Sequence, residues 1–308
     1  MIKKYAGVLA LLVAVACWGP APVITKLALY EVPEFSFAFL GRFLACLILV
    51  AIFVPQGFLK IRKKDLPLLI LAGLAGSVFN VGFFIFGIQK TGAADAQAIF
   101  SIGPVVNAIL AHFILKEKIK PIQAVGVSLG FSGAVLIALR TFFESGKLSQ
   151  GNLFGDLLIF ISSLSWVFYI LISKRLSKNY SPQTITLYSF LVSSIMFAPF
   201  ALFENISDSS WLERVSVQGI FGIFYIGVFA SVIAFIAYQV GLRLTSAFSA
   251  GVILYLNPVV TTIFAVFVLG EKITAPFLIG AFFIIFGSIV ATQHTTIRKN
   301  INLNFMKS

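Results

Sequence analysis

"PVVNAILAHFILKEKI" occupies Pro104–Ile119, and "PVVTTIFAVFVLGEKI" occupies Pro258–Ile273. The second stretch begins 154 residues after the first, and ten of the sixteen positions are identical. Chance rarely gives such agreement, even between apolar segments. The correspondence extends upstream at the same offset, where "GIQKTGAADA" (87–96) aligns with "GLRLTSAFSA" (241–250). "ACWGPAPVITK" (16–26) aligns with "LSWVFYILISK" (164–174) at an offset of 148, pairing Trp18 with Trp166 and Lys26 with Lys174. One pattern is therefore written twice, and the offsets differ by six residues gained in a loop.

The medium in which this pattern folds follows from composition. Hydrophobic residues make up 59% of the 308-residue chain and charged residues 11%, against about 25% charged in a soluble domain. Mean hydropathy is +1.01. The apolar runs are about 20 residues long, which matches a hydrocarbon core about 30 Å thick. Unbroken runs of that length exclude a β-barrel, whose strands alternate and are shorter. The expected fold is all-α and integral to the membrane, with ten transmembrane helices in two inverted five-helix repeats. The spans read as 6–27, 35–54, 66–89, 94–115, 121–140, 153–174, 183–203, 216–240, 246–269 and 275–292. The start "MIKKYAGVLALLVAVAC" resembles a secretory leader, but the run continues to about residue 27 and reads as the first span.

The domain division follows: residues 1–140 form the first repeat, 141–152 an external linker, 153–293 the second repeat and 294–308 a short cytoplasmic tail. The net charge of +12 reflects the bias of Lys and Arg toward cytoplasmic loops and implies no nucleic acid partner. With both termini cytoplasmic, 16 basic residues fall inside, 6 fall outside, and Arg42 lies within a span. Five spans per copy is an odd number, so the second copy enters the membrane from the opposite side. Inverted copies can exchange shapes about a central site, which is the logic of alternating access.

The order of "WG" (18–19), "GRF" (41–43), "PVV…LKEKI" (104–119) and "NPVV…LGEKI" (257–273) resembles the EamA branch of the drug/metabolite transporter superfamily. The resemblance covers about 8–139 and 155–291. It implies a transporter of a small metabolite, often outward, with a cavity lined by spans 1, 3, 4, 6, 8 and 9. The expected location is a bacterial inner (cytoplasmic) membrane. The expected partners are a small-molecule substrate and the lipid bilayer, in a monomer or homodimer. The alternatives are a proton-coupled importer and a non-transporting membrane scaffold.

Arg42 is the sharpest single residue. A charge at the centre of a spanning helix costs about 2.5–3.5 kcal/mol on insertion scales, so it usually faces a cavity or a partner. A structural Arg bonded to helix-end carbonyls is the bland alternative. Amides and aromatic rings at mid-depth form the second group of expected substrate contacts: Trp18, Asn80, Gln97, Asn107, Trp166, Tyr169, Tyr238, Gln239, Tyr255 and Asn257. Each could equally bond or pack helix to helix. Pro104 and Pro258 sit at matching positions and are expected to kink the cavity wall. Gly126 and Gly133 match Gly280 and Gly287 and are expected to serve close packing, within the chain or between two copies.

No acidic residue lies in the middle of a span, which favours facilitated or exchange transport over proton coupling. Glu117–Lys118 and Glu271–Lys272 are expected to cap helix ends or latch loops. "GFSG" (130–133) could suggest a serine hydrolase. However, His112 and His294 fall toward the cytoplasmic side and Ser132 toward the outside, so no nucleophile–base pair and no catalytic residue is expected. Cys17 and Cys46 lie inside apolar runs and read as small buried residues. No metal site and no cofactor is expected.

Overall fold

The structure, a computed structural model, describes residues 2–55, 61–90, 96, 99–100, 102–139, 153–269 and 273–293. The linker from 141 to 152 and the tail from 294 to 308 fall outside them, as do Gln97, Asp95, Glu271 and His294. Among the described residues every regular element is a helix. The rods are α1 (Ile2–Trp18, then Ala21–Ala28), α2 (Glu34–Phe53), α3 (Leu66–Gly73 through Asn80–Lys90), α4 (Ile102–Leu115) and α5 (Pro121–Ala138). The second half supplies α6 (Leu153–Leu176), α7 (Pro182–Ser207), α8 (Val217–Tyr225 through Ala234–Leu244), α9 (Ala247–Ile253, then Leu256–Leu269) and α10 (Ala275–Gln293). Seven rods are long and apolar enough to cross a membrane. The described parts of α4, α5 and α10 are shorter apolar helices.

The breaks have local causes. Pro20 and Pro22 withhold two backbone donors, and α1 is interrupted at Gly19–Pro20. Pro258 cannot donate to Leu254, and α9 is interrupted by a turn at Leu254–Tyr255. In α4 the described helix already runs through Pro104. Both α3 and α8 widen into a π-helical stretch, at Leu74–Phe79 and Ile226–Ile233. These stretches occupy corresponding positions, with Ser77 of the first matching Ser231 of the second.

The packing obeys the repeat contact by contact. A Cβ added to Gly126 would sit 2.6 Å from the Gly287 carbonyl oxygen, and one on Gly287 would sit 2.6 Å from the Gly126 oxygen. Gly133 and Gly280 meet in the same way. As one number rises its partner falls, so α5 and α10 run antiparallel with their backbones in contact. The small residues serve this contact within the chain. Gly241 of α8 faces Leu11 and Gly7 of α1, and the matching Gly87 of α3 faces Ile159 and Gly155 of α6. Gly227 of α8 faces Leu44 of α2, and the matching Gly73 of α3 faces Val192 of α7. Exchanging the two copies carries each of these contacts into another that is also made.

Helix ends are satisfied across the copies. The Glu204 carboxylate of α7 accepts from the Phe35 and Ser36 backbone N–H groups at 3.0 and 2.7 Å, at the start of α2. The Glu117 carboxylate, just past α4, accepts from Ala247 N and Phe248 N at 3.0 Å each, at the start of α9. Both supply partners for donors that a helix start leaves unpaired.

Replacing Gly126 with Val forces a side chain into the α5–α10 backbone contact and should destabilise the bundle by about 1–3 kcal/mol. Gly82→Ala, whose Cβ would meet Phe197 at 3.7 Å, should leave stability unchanged or slightly raised. Thermal unfolding of both variants in detergent checks the contrast.

Candidate functional site

A cavity of about 210 Å³ lies between the copies. Its lining comes from α1, α2, α3, α4, α6, α8 and α9. The presence of α2 differs from the expected set, because Phe37, Ala38 and Arg42 turn inward from it. The lining segments of α1, α2 and α3 belong to the halves nearer Ala28, Glu34 and Lys90. This end is called the wide end. At the opposite, narrow end the space is filled by Leu11, Ala14, Val15, Leu171, Ala234, Tyr238, Leu242 and Ala247.

An aromatic layer separates the two ends. The Trp18 and Trp166 rings meet edge to face, 5.1 Å between centroids. Phe235 lies 5.5 Å from Trp18 and 5.6 Å from Trp166, and Tyr238 lies 5.3 Å from each. Trp18, Trp166 and Phe235 form the cavity floor. The Trp18 indole donates to the Ala230 carbonyl at 2.7 Å, within the π stretch of α8.

The expected site residues divide by position. Trp18, Arg42, Asn80, Pro104, Asn107, Trp166, Tyr255, Asn257 and Pro258 line the cavity. Tyr169, Tyr238 and Gln239 do not; they lie beneath the floor, fully buried, and Gln239 Nε2 donates to the Tyr169 hydroxyl at 2.6 Å. Asn80 Nδ2 donates to the Ser162 carbonyl at 3.0 Å and lies 3.1 Å from its hydroxyl, so Asn80 also joins α3 to α6. Asn107 Nδ2 donates to Ala247 O at 2.8 Å, joining α4 to α9. Arg42 is 6% exposed. It donates to the Ser231 hydroxyl and stands 5.2 Å and 5.6 Å from the Phe190 and Phe235 ring centroids. Four polar atoms of the lining are buried with no hydrogen-bond partner among the described residues: Arg42 Nε, Asn107 Oδ1, Tyr255 OH and Asn257 Oδ1.

The sequence reading missed Phe235, Ser163 and Thr261 in the lining and Ser231 as the partner of Arg42. Two of these carried a signal: Ser231 matches Ser77, and Thr261 matches Asn107 in the opening stretch. Among the described residues there is no group of three or more His, Cys, Asp or Glu that could hold a metal. Ser132 is exposed on α5, and His112 Nδ1 lies 2.9 Å from the Glu117 carbonyl.

The wide end is tied by Glu31, which follows α1. Its carboxylate accepts from Ser216 N at 2.8 Å and from the Ser216 hydroxyl at 2.8 Å, at the start of α8. The Ser216 backbone N–H, then its hydroxyl, hold the Glu31 carboxyl below its usual range.

Two segments of the chain, residues 5–139 and 153–293, each match the EamA-like transporter family. An "Uncharacterized transporter" of Archaeoglobus fulgidus is 27% identical over 256 residues, covering 83% of this chain and 86% of its own. Bacillus subtilis YyaM, named an uncharacterized transporter, is 28% identical over 267 residues, 85% of each chain. Bacillus subtilis YetK, named likewise, is 27% identical over 295 residues, 94% of this chain and 88% of its own. A protein crystal structure superposes with a TM-score of 0.75 at 19% identity, covering 94% of this chain and 96% of that one. This last likeness shows the fold.

The Glu31 tie sets a pH dependence. A carboxyl whose pKa is lowered on folding stabilises the fold above its unfolded value, about 4.3, and that contribution disappears as pH falls through the lower, folded value. The unfolding midpoint of the parent chain should exceed that of Glu31→Ala at pH 6–7. The gap should close as pH drops below about 4. Unfolding scans of both chains across pH 3–7 measure it.

Proposed function

The chain belongs to the EamA-like transporter family, and from that premise we propose that it is a secondary transporter moving a small, amino-acid-like or related metabolite across the cytoplasmic membrane by alternating access. That it is a multi-pass membrane protein follows from its apolar helices and its family. The finer reading counts ten spans, with α4, α5 and α10 crossing as well, and takes the copies as inverted. Contacts that map onto one another when the copies are exchanged, in register from Gly7 to Gly287, support the inversion.

One observation carries alternating access. Among the described residues, Lys174 and Asn107 make ties at the narrow end that their counterparts Lys26 and Thr261 do not make at the wide end. Lys174 donates to the Leu242 and Thr245 carbonyls at the end of α8. Its counterpart Lys26, toward the wide end, has an exposed side chain. Asn107 joins α4 to α9, whereas its counterpart Thr261 donates to Gly19 O of α1 at 2.7 Å. The two copies therefore hold different shapes, and exchanging those shapes moves the closed end across the membrane.

With both termini cytoplasmic, the wide end faces outside, and the family resemblance favours export. The site comprises Trp18, Arg42, Asn80, Asn107, Trp166, Tyr255 and Asn257 on the cavity surface. Tyr169, Tyr238 and Gln239 support it from beneath, and Gln97 is its expected further member. Pro104 and Pro258 shape the wall. The lining holds no acidic residue among the described residues, which favours exchange or facilitated transport over proton coupling.

Two measurements test this reading. Proteoliposomes should show saturable counterflow of a preloaded metabolite pool that empty liposomes lack; its absence across a broad pool would overturn the reading. Lys174→Met removes charge-assisted bonds worth about 1.5–3 kcal/mol. In a Cys17→Ser/Cys46→Ser background with Val81→Cys as reporter, it should slow labelling by an impermeant maleimide from the wide end about tenfold. Lys26→Met should leave labelling unchanged.

A further inference from the structure

Arg42 is the single charged side chain in the cavity lining among the described residues. A guanidinium carries five N–H donors and cannot shed its charge. Ser231 takes one donor, the Phe190 and Phe235 faces offer their π-electrons, and Nε has no partner. No carboxylate pairs with Arg42 among the described residues. A cation so deeply buried normally has an anion beside it, because desolvation outweighs what one hydroxyl and two rings return. Among the described residues the lining supplies no such anion, and Arg42 stands on the cavity wall.

The rest of the surface defines what accompanies the anion. Trp18, Trp166, Phe37, Phe84, Phe100 and Phe235 make it aromatic. The Asn80 amide is already committed to Ser162, and one Asn107 N–H is committed to Ala247. Among the described residues no acidic group of the lining is present to receive an ammonium, and Arg42 repels one. We infer that the solute is a small organic anion, with a single carboxylate seated on Arg42 and an apolar or aromatic body over the Trp18–Trp166–Phe235 floor. This rests on the transporter reading and narrows its solute from the amino-acid-like class to a related one: a net anion is preferred over a zwitterion or a cation of the same body. Carboxylate suits the site better than phosphate, because one guanidinium forms a two-bond pair with one carboxylate and leaves no second cation for a dianion.

Four probes share one body: phenylacetate, phenylacetamide, phenethylamine and phenyl phosphate, with L-phenylalanine as the zwitterion. Binding to the full-length chain in detergent is read from quenching of its tryptophans, two of which form the floor. Phenylacetate should bind at least tenfold more tightly than each of the other four. Arg42→Gln should erase that preference, and Arg42→Lys should retain part of it while keeping the charge. Thermal unfolding confirms that each variant is folded. Equal binding of the series, tighter binding of the amine or phosphate, a preference that survives in Arg42→Gln, or no saturable quenching by phenylacetate each overturns the inference. Counterflow of the same probes separates the two readings. Exchange of neutral or zwitterionic probes without dependence on Arg42 leaves a transporter and removes the anion site. Arg42-dependent binding without any exchange keeps the anion site and removes the transporter.

Discussion

Between α5 and α10 there is no room for a methyl group. In hydrocarbon, apolar side chains gain nothing by leaving lipid for one another, so helices associate through close surface fit and shared polar bonds. Glycine lets two backbones touch along Gly126, Gly133, Gly280 and Gly287, and the antiparallel register of that contact carries one copy onto the other. The remaining rods obey the same rule: α1 packs on α8 as α6 packs on α3, and α2 meets α8 as α7 meets α3. Each of these glycine contacts is made twice, once in each setting, and this limits which residues can occupy either setting.

Function enters where the two settings differ. Both tryptophans come from matching positions, yet the two rings that meet both of them, Phe235 and Tyr238, come from α8. Their counterparts on α3 are Val81 and Phe84, which line the open cavity instead. The narrow end thus owes its closure to aromatic packing and to the Lys174 and Asn107 bonds. At the wide end, among the described residues, the counterparts Val81 and Phe84 line the cavity instead of closing it. A single sequence pattern, unevenly filled, yields a floor on one side and a chamber on the other.

Much of this was legible beforehand, and the reasons are specific. Repeats survive in sequence because each copy must make the same contacts, so the glycines, the paired tryptophans and the break before Pro258 could be located in advance. Arg42 stood out because charge is rare in apolar helices. Other features depend on contacts across space. The chain holds 34 phenylalanines, and nothing in that background marks Phe235 as a floor residue. Gln239 and Tyr169 carry the same polar signal as Asn107, but they bond to each other beneath the floor. Beyond Arg42, the α2 contribution was missed because its other lining residues are Phe37 and Ala38, which look the same toward lipid. The wide turns of α3 and α8 leave no residue signature that distinguishes them from ordinary helix.

The crossed helix caps bear on how the molecule is made. The first turn of α2 is completed by a carboxylate on α7, about 170 residues later in the chain. The first turn of α9 is completed by Glu117, which is synthesised well before it. During synthesis α2 therefore waits with open amide groups until the second half arrives, whereas α9 finds its partner already in place. Each copy therefore draws a helix cap from the other, and the first half acquires its cap only once the second half is made. A chain arrested midway would carry unpaired backbone at a helix start, the kind of defect by which quality control can recognise an unfinished membrane protein.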